Sequence, residues 1–132
     1  MPSLFTKIIN GEIPCFKVAE DELNFAFLDI FPLKKGHVLV VPKLEVDRLF
    51  DLPEKNYSSL LTFTKKISNS LKEIIPCNRI SMHVVGLEVP HAHIHLIPIN
   101  TINDCNFTNE KLKFTNEEFM ALAKEISLKI TH

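Results

Sequence analysis

Between positions 91 and 98 the chain reads His-Ala-His-Ile-His-Leu-Ile-Pro, so histidine alternates with apolar residues, and half of the six histidines stand in one row. Side chains of a β-strand alternate between its faces. His91, His93 and His95 therefore share one face, about 6–7 Å apart, while Ala92, Ile94 and Leu96 turn into a core. Neutral imidazole is a nucleophile near pH 7, and imidazolium is a donor and a local positive charge. A row of three can attack phosphorus, hydrogen-bond phosphoryl oxygens and protonate a leaving group without a metal. The same row can chelate zinc through two histidines at i, i+2. A single strand histidine is ordinarily a half-buried structural residue, but three in alternation are hard to reach by chance. Spacing alone leaves phosphoryl and metal chemistry both open.

Several elements must position that row. Ser3 caps a short helix bearing Leu4, Phe5, Ile8 and Ile9, with Gly11 as its stop. Cys15 to Val18 reads as a short strand and Glu20-Asp21-Glu22 as a turn. Leu23 to Ile30 reads as a strand with Leu23, Phe25, Phe27 and Asp29 on one face. His37 to Val41 is nearly all apolar, which predicts a strand covered on both faces. A long helix spans 53–75, with Pro53 in its first turn and Asp51 or Leu52 near its cap. It ends before Pro76. Strands follow at 79–85 and 91–99. Residues 100–114 are polar and predict a plain solvent loop, with a lid over the site as the alternative. Thr115 and Glu118 form a capping box that opens a C-terminal helix bearing Phe119, Leu122, Ala123, Ile126 and Ile130. The pattern is one α+β domain over residues 1–132, with a mostly antiparallel sheet of about five strands.

Composition removes several function classes. With 132 residues, 45% of them hydrophobic, the chain suits one globular domain. Fifteen Lys and Arg against sixteen Asp and Glu give a net charge of −1. That balance argues against nucleic acid or an anionic membrane as a partner, but not against a small phosphate-bearing ligand. Gly11, Gly36 and Gly86 are the only glycines, too few and too scattered for a Rossmann or P-loop phosphate cradle. Cys15, Cys77 and Cys105 are odd in number and form no CxxC, so neither a disulfide framework nor a cysteine zinc site is expected. No apolar run approaches a membrane span, and the N-terminus does not read as a signal peptide. The expected compartment is a reducing cytoplasm. His132 is terminal and is expected to be disordered.

His91-Ala92-His93-Ile94-His95-Leu96-Ile97 matches the signature of the histidine-triad (HIT) family, three histidines alternating with apolar residues. Leu4 to Pro14, Ala26 to Pro32 and Gly36 to Lys43 resemble three further blocks of that family in the same order, so the likeness covers residues 3–99 and leaves 100–132 as an extension. The resemblance implies a nucleotide hydrolase or transferase of the phosphoramidase-like branch, acting on a purine nucleotide conjugate without a cofactor or metal. His93 would be the nucleophile on the α-phosphorus, the His91 backbone would orient its ring, and His95 and His37 would lie beside the phosphate. The nucleoside pocket would comprise Leu4, Phe5, Ile8, Phe27, Asp29 and Ile30, with Asp29 accepting the ribose hydroxyls. Relatives form homodimers, and a dimer is expected here, with helix 53–75 and strand 79–85 as interface candidates.

The likeness has gaps. Many relatives carry Asn-x-Gly and Ala-Gly-Gln before the triad, whereas this chain has the shorter His83-Val84-Val85-Gly86-Leu87-Glu88-Val89-Pro90. The polar residues that contact phosphate in the family are missing. Glu88 is the candidate substitute, placed beside the amine of a phosphoramidate, because a carboxylate aimed at phosphate repels it. The motif continues as Pro98-Ile99-Asn100, without the arginine that the dinucleoside-polyphosphate branch carries after that proline, and Ser3 and Thr6 occupy positions where some relatives hold zinc-binding cysteines. His83 reads either as a neighbour of the triad or as an ordinary edge histidine. The alternatives are a dinucleoside polyphosphate hydrolase, a nucleotide-binding regulatory module with little turnover, and a metal-binding protein built on the histidine row.

Overall fold

The computed structural model describes residues 1–130; the expectation for His132 lies outside them. The order is α1 (Leu4–Ile9), β1 (Lys17–Glu20), β2 (Asn24–Leu28), β3 (Val38–Pro42), α2 (Glu54–Ile74), β4 (Arg79–His83), β5 (Ile94–Ile99) and α3 (Asn116–Leu128). Short 3-10 turns lie at Leu49–Asp51 and Ile102–Cys105. The strands form one antiparallel sheet in the order β1-β2-β3-β5-β4. This is the α+β architecture that the sequence pattern predicts.

Alternation along the central strands sorts the chain into two layers. Ala26, Leu28, Val38, Val40, Ile94 and Leu96 face Leu60, Phe63, Ile67 and Leu71 of α2 and Phe119, Leu122 and Ile126 of α3. Phe25, Phe27, Leu39 and Val41 face the other way and are covered by Phe5 and Ile8 of α1. β2 and β3 are therefore buried on both faces, as their apolar runs require. The short helix α1 cannot cover the whole second face, and the uncovered part becomes a cleft.

The element ends differ from the sequence expectation for identifiable reasons. β5 begins at Ile94 rather than His91. Its ladder with β3 stops at the pair Val40↔Ile94. Two residues on, the register would set Ala92 opposite Pro42, which has no N–H, and Ala92 N–H bonds Val46 O at 2.7 Å instead. β4 in turn ends at His83 rather than Val85, because its last partner is His95. β1 lies two residues later than 15–18. Its register on β2 pairs Glu20 with Phe25, and the turn shifts by one residue to 21–23. Asp21 Oδ1 closes that turn by accepting Leu23 N–H at 3.0 Å and Asn24 N–H at 2.8 Å. β2 stops at Leu28, before Ile30, because Asp29 Oδ1 accepts Phe31 N–H at 2.9 Å and bends the chain. β3 runs from Val38 through Pro42. Pro53 itself caps α2, and Asp51 belongs to the preceding 3-10 turn. The caps at Ser3 and Thr115–Glu118 are as expected.

Candidate active site

Hydrogen bonds assign a tautomer to each histidine of the row. His93 Nδ1 lies 2.8 Å from His91 O. A carbonyl only accepts, so Nδ1 carries the proton and Nε2 keeps its lone pair. The nitrogen that keeps the lone pair is thereby fixed by the backbone of His91. That backbone is itself immobilised. His91 is fully buried, its Nε2–H donates to Pro42 O at 2.8 Å, and its Nδ1 accepts the Ser3 hydroxyl at 2.7 Å. Ser3 N–H and the Thr6 hydroxyl both donate to Glu45 Oε1, each at 2.6 Å. The start of α1 is thus clasped to the histidine segment.

The second chain of bonds runs through His37. Leu33 N–H donates to His37 Nδ1 at 3.1 Å, so His37 carries its proton on Nε2 and gives it to His95 Nδ1 at 2.9 Å. His95 Nδ1 is then an acceptor, and its Nε2–H is left as a donor. Gly36 delivers His37 to this position. Its φ is +92°, and a Cβ there would meet Ile75 Cγ1 at 3.0 Å and Pro98 Cγ at 3.2 Å, so only glycine fits. The His93 and His95 ring centroids are 5.0 Å apart, and Phe5 lies 4.9 Å from His93 on the other side. His91, His93 and His95 thus keep to one face although only His95 lies within the strand.

Burial pushes all three cleft histidines down, because the charged form loses solvent. His37 falls to about 3, with His95, His83 and Lys111 adding to the burial effect. His95 falls to about 4, and His93 also moves down. The rings are neutral at pH 7. Burial raises Asp29 to about 6. The 3.5 Å approach of Asp29 Oδ2 to His37 Nε2 is therefore a polar contact between a carboxyl and a neutral ring rather than an ion pair.

Asp29, His37 and His95 bring three ligand atoms within 4.8 Å of one another, so they could hold a metal. The proton pattern opposes it. His37 Nδ1 is committed to Leu33 N–H, so a metal on Nε2 would have to displace the ring proton and leave an imidazolate in a buried site.

The cleft has a volume of about 540 Å³. Phe5, Ile8, Phe27 and Leu39 form its apolar floor, and Leu4 and Ile30, both about half exposed, form its rim. Asp29 stands between this slot and the histidines. Every residue expected in the pocket lines it, together with His37, His93 and His95, while His91 lies behind the wall. Glu88 is exposed on the wall formed by Val85 to Val89, near enough to His93 and Asp29 to raise both. His83 pairs with His95 across the strands. Two lining residues, Phe107 and Lys111, stand outside the sequence expectation of a solvent loop. The Phe107 ring lies 4.9 Å from His95, 5.6 Å from His83 and 6.4 Å from His37. One aromatic residue in a polar loop is a weak sequence signal, and its target emerges only when the chain is folded.

Comparison with known proteins agrees with this geometry. A family model described as HIT domain matches residues 10–102. The chain is 39% identical to an uncharacterised HIT-like protein of Borreliella burgdorferi, over 96% of this chain and 97% of that one. It is 35% identical to a Schizosaccharomyces pombe protein named adenosine 5′-monophosphoramidase, over 98% and 99% of the two chains. A crystal structure of a Hit-like protein involved in cell-cycle regulation from Bartonella henselae superposes with a TM-score of 0.83 at 28% identity, covering 97% and 96% of the chains.

Proposed function

The chain belongs to the histidine-triad (HIT) family, and from that premise we propose that it hydrolyses a purine nucleoside 5′-phosphoramidate or related nucleotide conjugate at the α-phosphorus. The observation that carries this reading is the bond from His93 Nδ1 to His91 O, which leaves Nε2 as a neutral nucleophile facing the cleft. The base lies in the slot of Phe5, Ile8 and Phe27, and Asp29 accepts the ribose hydroxyls. His93 Nε2 forms a bond to phosphorus as the P–N bond breaks, and the amine leaves on the solvent side lined by Glu88, taking its proton from water there. Water then cleaves the nucleotidyl-histidine and restores the neutral ring. Splitting one displacement into two lowers each barrier. The likeness to the fission yeast phosphoramidase supports this substrate class.

The test is hydrolysis of a fluorogenic adenosine 5′-phosphoramidate in the presence of EDTA. Undiminished turnover is expected. Loss with chelator and recovery with zinc would move the histidine row to metal chemistry, and AMP binding without turnover would make the protein a nucleotide-binding module.

The reading includes a homodimer in a reducing compartment. β4 is an edge strand, and Met82, Val84, Val85 and Leu87 at its end are 56%, 47%, 44% and 88% exposed. An apolar edge of this kind pairs readily with a second copy. Light scattering should give twice the 15.1 kDa chain mass, and Val84→Lys with Leu87→Lys should shift it toward the single chain. A wild-type mass equal to one chain would remove the dimer.

A further inference from the structure

The cleft has a charge problem. A nucleotide α-phosphate is anionic, yet the histidines around it are neutral, and Asp29 and Glu88 among the lining residues are carboxyls, which repel it when ionised. His93 Nε2 offers a lone pair, and the His37 Nε2 proton is spent on His95. Among the described imidazoles lining the cleft, only His95 has a proton left to donate. Between His83 and Pro90 the residues Val84-Val85-Gly86-Leu87-Glu88-Val89 offer no hydroxyl, amide or basic side chain. Something else must meet the charge.

Among the described residues lining the cleft, Lys111 alone carries a permanent positive charge. Its ammonium donates to Phe107 O at 2.5 Å and Asn109 O at 2.8 Å. Both partners are carbonyls, so the charge is oriented without being neutralised, and the third N–H has no partner among the described residues. The segment holding it is built rather than loose. Lys34 Nζ pairs with Asp104 at 3.0 Å, Leu112 N–H bonds Pro32 O at 2.8 Å, and Asn109 Nδ2 bonds Asn103 O at 2.7 Å. Pro32 follows the Asp29 turn, and Phe107 abuts His95. Lys111 is therefore held between the ribose end and the histidine end of the site.

We propose that Lys111, delivered by the C-terminal extension, is the phosphate-binding cation of this site, supplying from residues 107–112 the cationic contact that the wall from Val84 to Val89 does not offer. The proposal rests on the nucleotide-hydrolase reading above. It assigns the extension a part in substrate recognition: the ammonium selects a 5′-phosphorylated nucleoside over the bare nucleoside, and Phe107 fixes its position through its carbonyl and its packing on the histidines.

Calorimetric binding of AMP and of adenosine separates the possibilities. Lys111→Ala should weaken AMP binding about 10–100-fold, the range of a charge-assisted hydrogen bond, and leave adenosine within about twofold. Lys111→Gln keeps a donor for the two carbonyls but no charge. It should show the same split with an unchanged Tm, and Lys111→Arg should retain most of the AMP affinity. Equal weakening of both ligands in the Gln variant would make Lys111 a structural residue and overturn the proposal, as would unchanged AMP binding. A wild-type protein that binds neither ligand would instead overturn the nucleotide reading on which the proposal stands.

Discussion

Replacing His93 with Ala should lower turnover of an adenosine 5′-phosphoramidate by on the order of 10⁴-fold or more, the scale of losing a covalent nucleophile. AMP affinity should change little, because the base slot and Lys111 are untouched. Among the described residues the cleft offers no second free nucleophilic imidazole nitrogen in the same place: His91 lies behind the wall with both ring nitrogens bonded, and His95 spends Nδ1 on His37. A stopped wild-type reaction should yield a nucleotidyl adduct on the peptide containing His93, absent from the variant. The pH profile supplies a second reading of the same atom. Burial moves His93 below its ordinary 6.5, so the neutral ring persists at lower pH than in a free histidine. The acid limb of kcat/KM should fall below 6.5. A limb at or above 6.5, or turnover within tenfold of wild type in the Ala variant, would remove His93 from the nucleophilic role.

How much of this was legible in the sequence follows from what the sequence encodes. Two-residue alternation is local, so Ala26, Val38, Val40, Ile94 and Leu96 could be sorted to one face from their order alone, and the faces of β2, β3 and β5 follow. The histidine row was legible for the same reason. Strand ends were not, because they depend on the partner: the missing N–H of Pro42 faces the register position of Ala92, 50 residues away in the chain. The tautomers were also hidden. They are set by Leu33 N–H, His91 O and Pro42 O, backbone groups whose direction no residue type reveals. Glu45 is a further case, an exposed carboxylate whose sequence position gives no hint that it receives Ser3 and Thr6 from α1. The extension was the least legible part. Asparagine and threonine content describes a loop, and only the closing contacts of Asp104, Asn109 and Leu112 show that this loop is a wall of the cleft.

His37→Ala should reduce kcat by about 10²-fold, the scale of removing one preorganised donor from a charge-stabilising site, with a smaller change in KM. The polar partners of His37 are Leu33, His95 and Asp29. Its role is to commit His95: while His37 Nε2–H donates to His95 Nδ1, His95 must carry its own proton on Nε2. Without His37 the ring of His95 is free to exchange tautomers and to turn, and part of the population presents a lone pair to phosphate. The Ala variant also leaves Leu33 N–H buried without a partner and opens a void, which costs stability. His37→Gln separates the two effects, since its amide oxygen can accept and its NH₂ can donate. It should restore most of the stability and part of kcat, whereas a purely structural role would restore both together. Acid titration adds an independent check. His37 sits near 3 when folded and near 6.5 when unfolded, so below 6.5 the unfolded chain binds more protons and stability falls with pH. Asp29, raised to about 6, acts in the opposite sense between about 4 and 6. The wild type should lose stability from pH 6.5 downward, and His37→Gln should lose it less steeply over the same range. Equal slopes in the two proteins would mean that His37 titrates in the folded state, and the committed chain from Leu33 to His95 would be wrong.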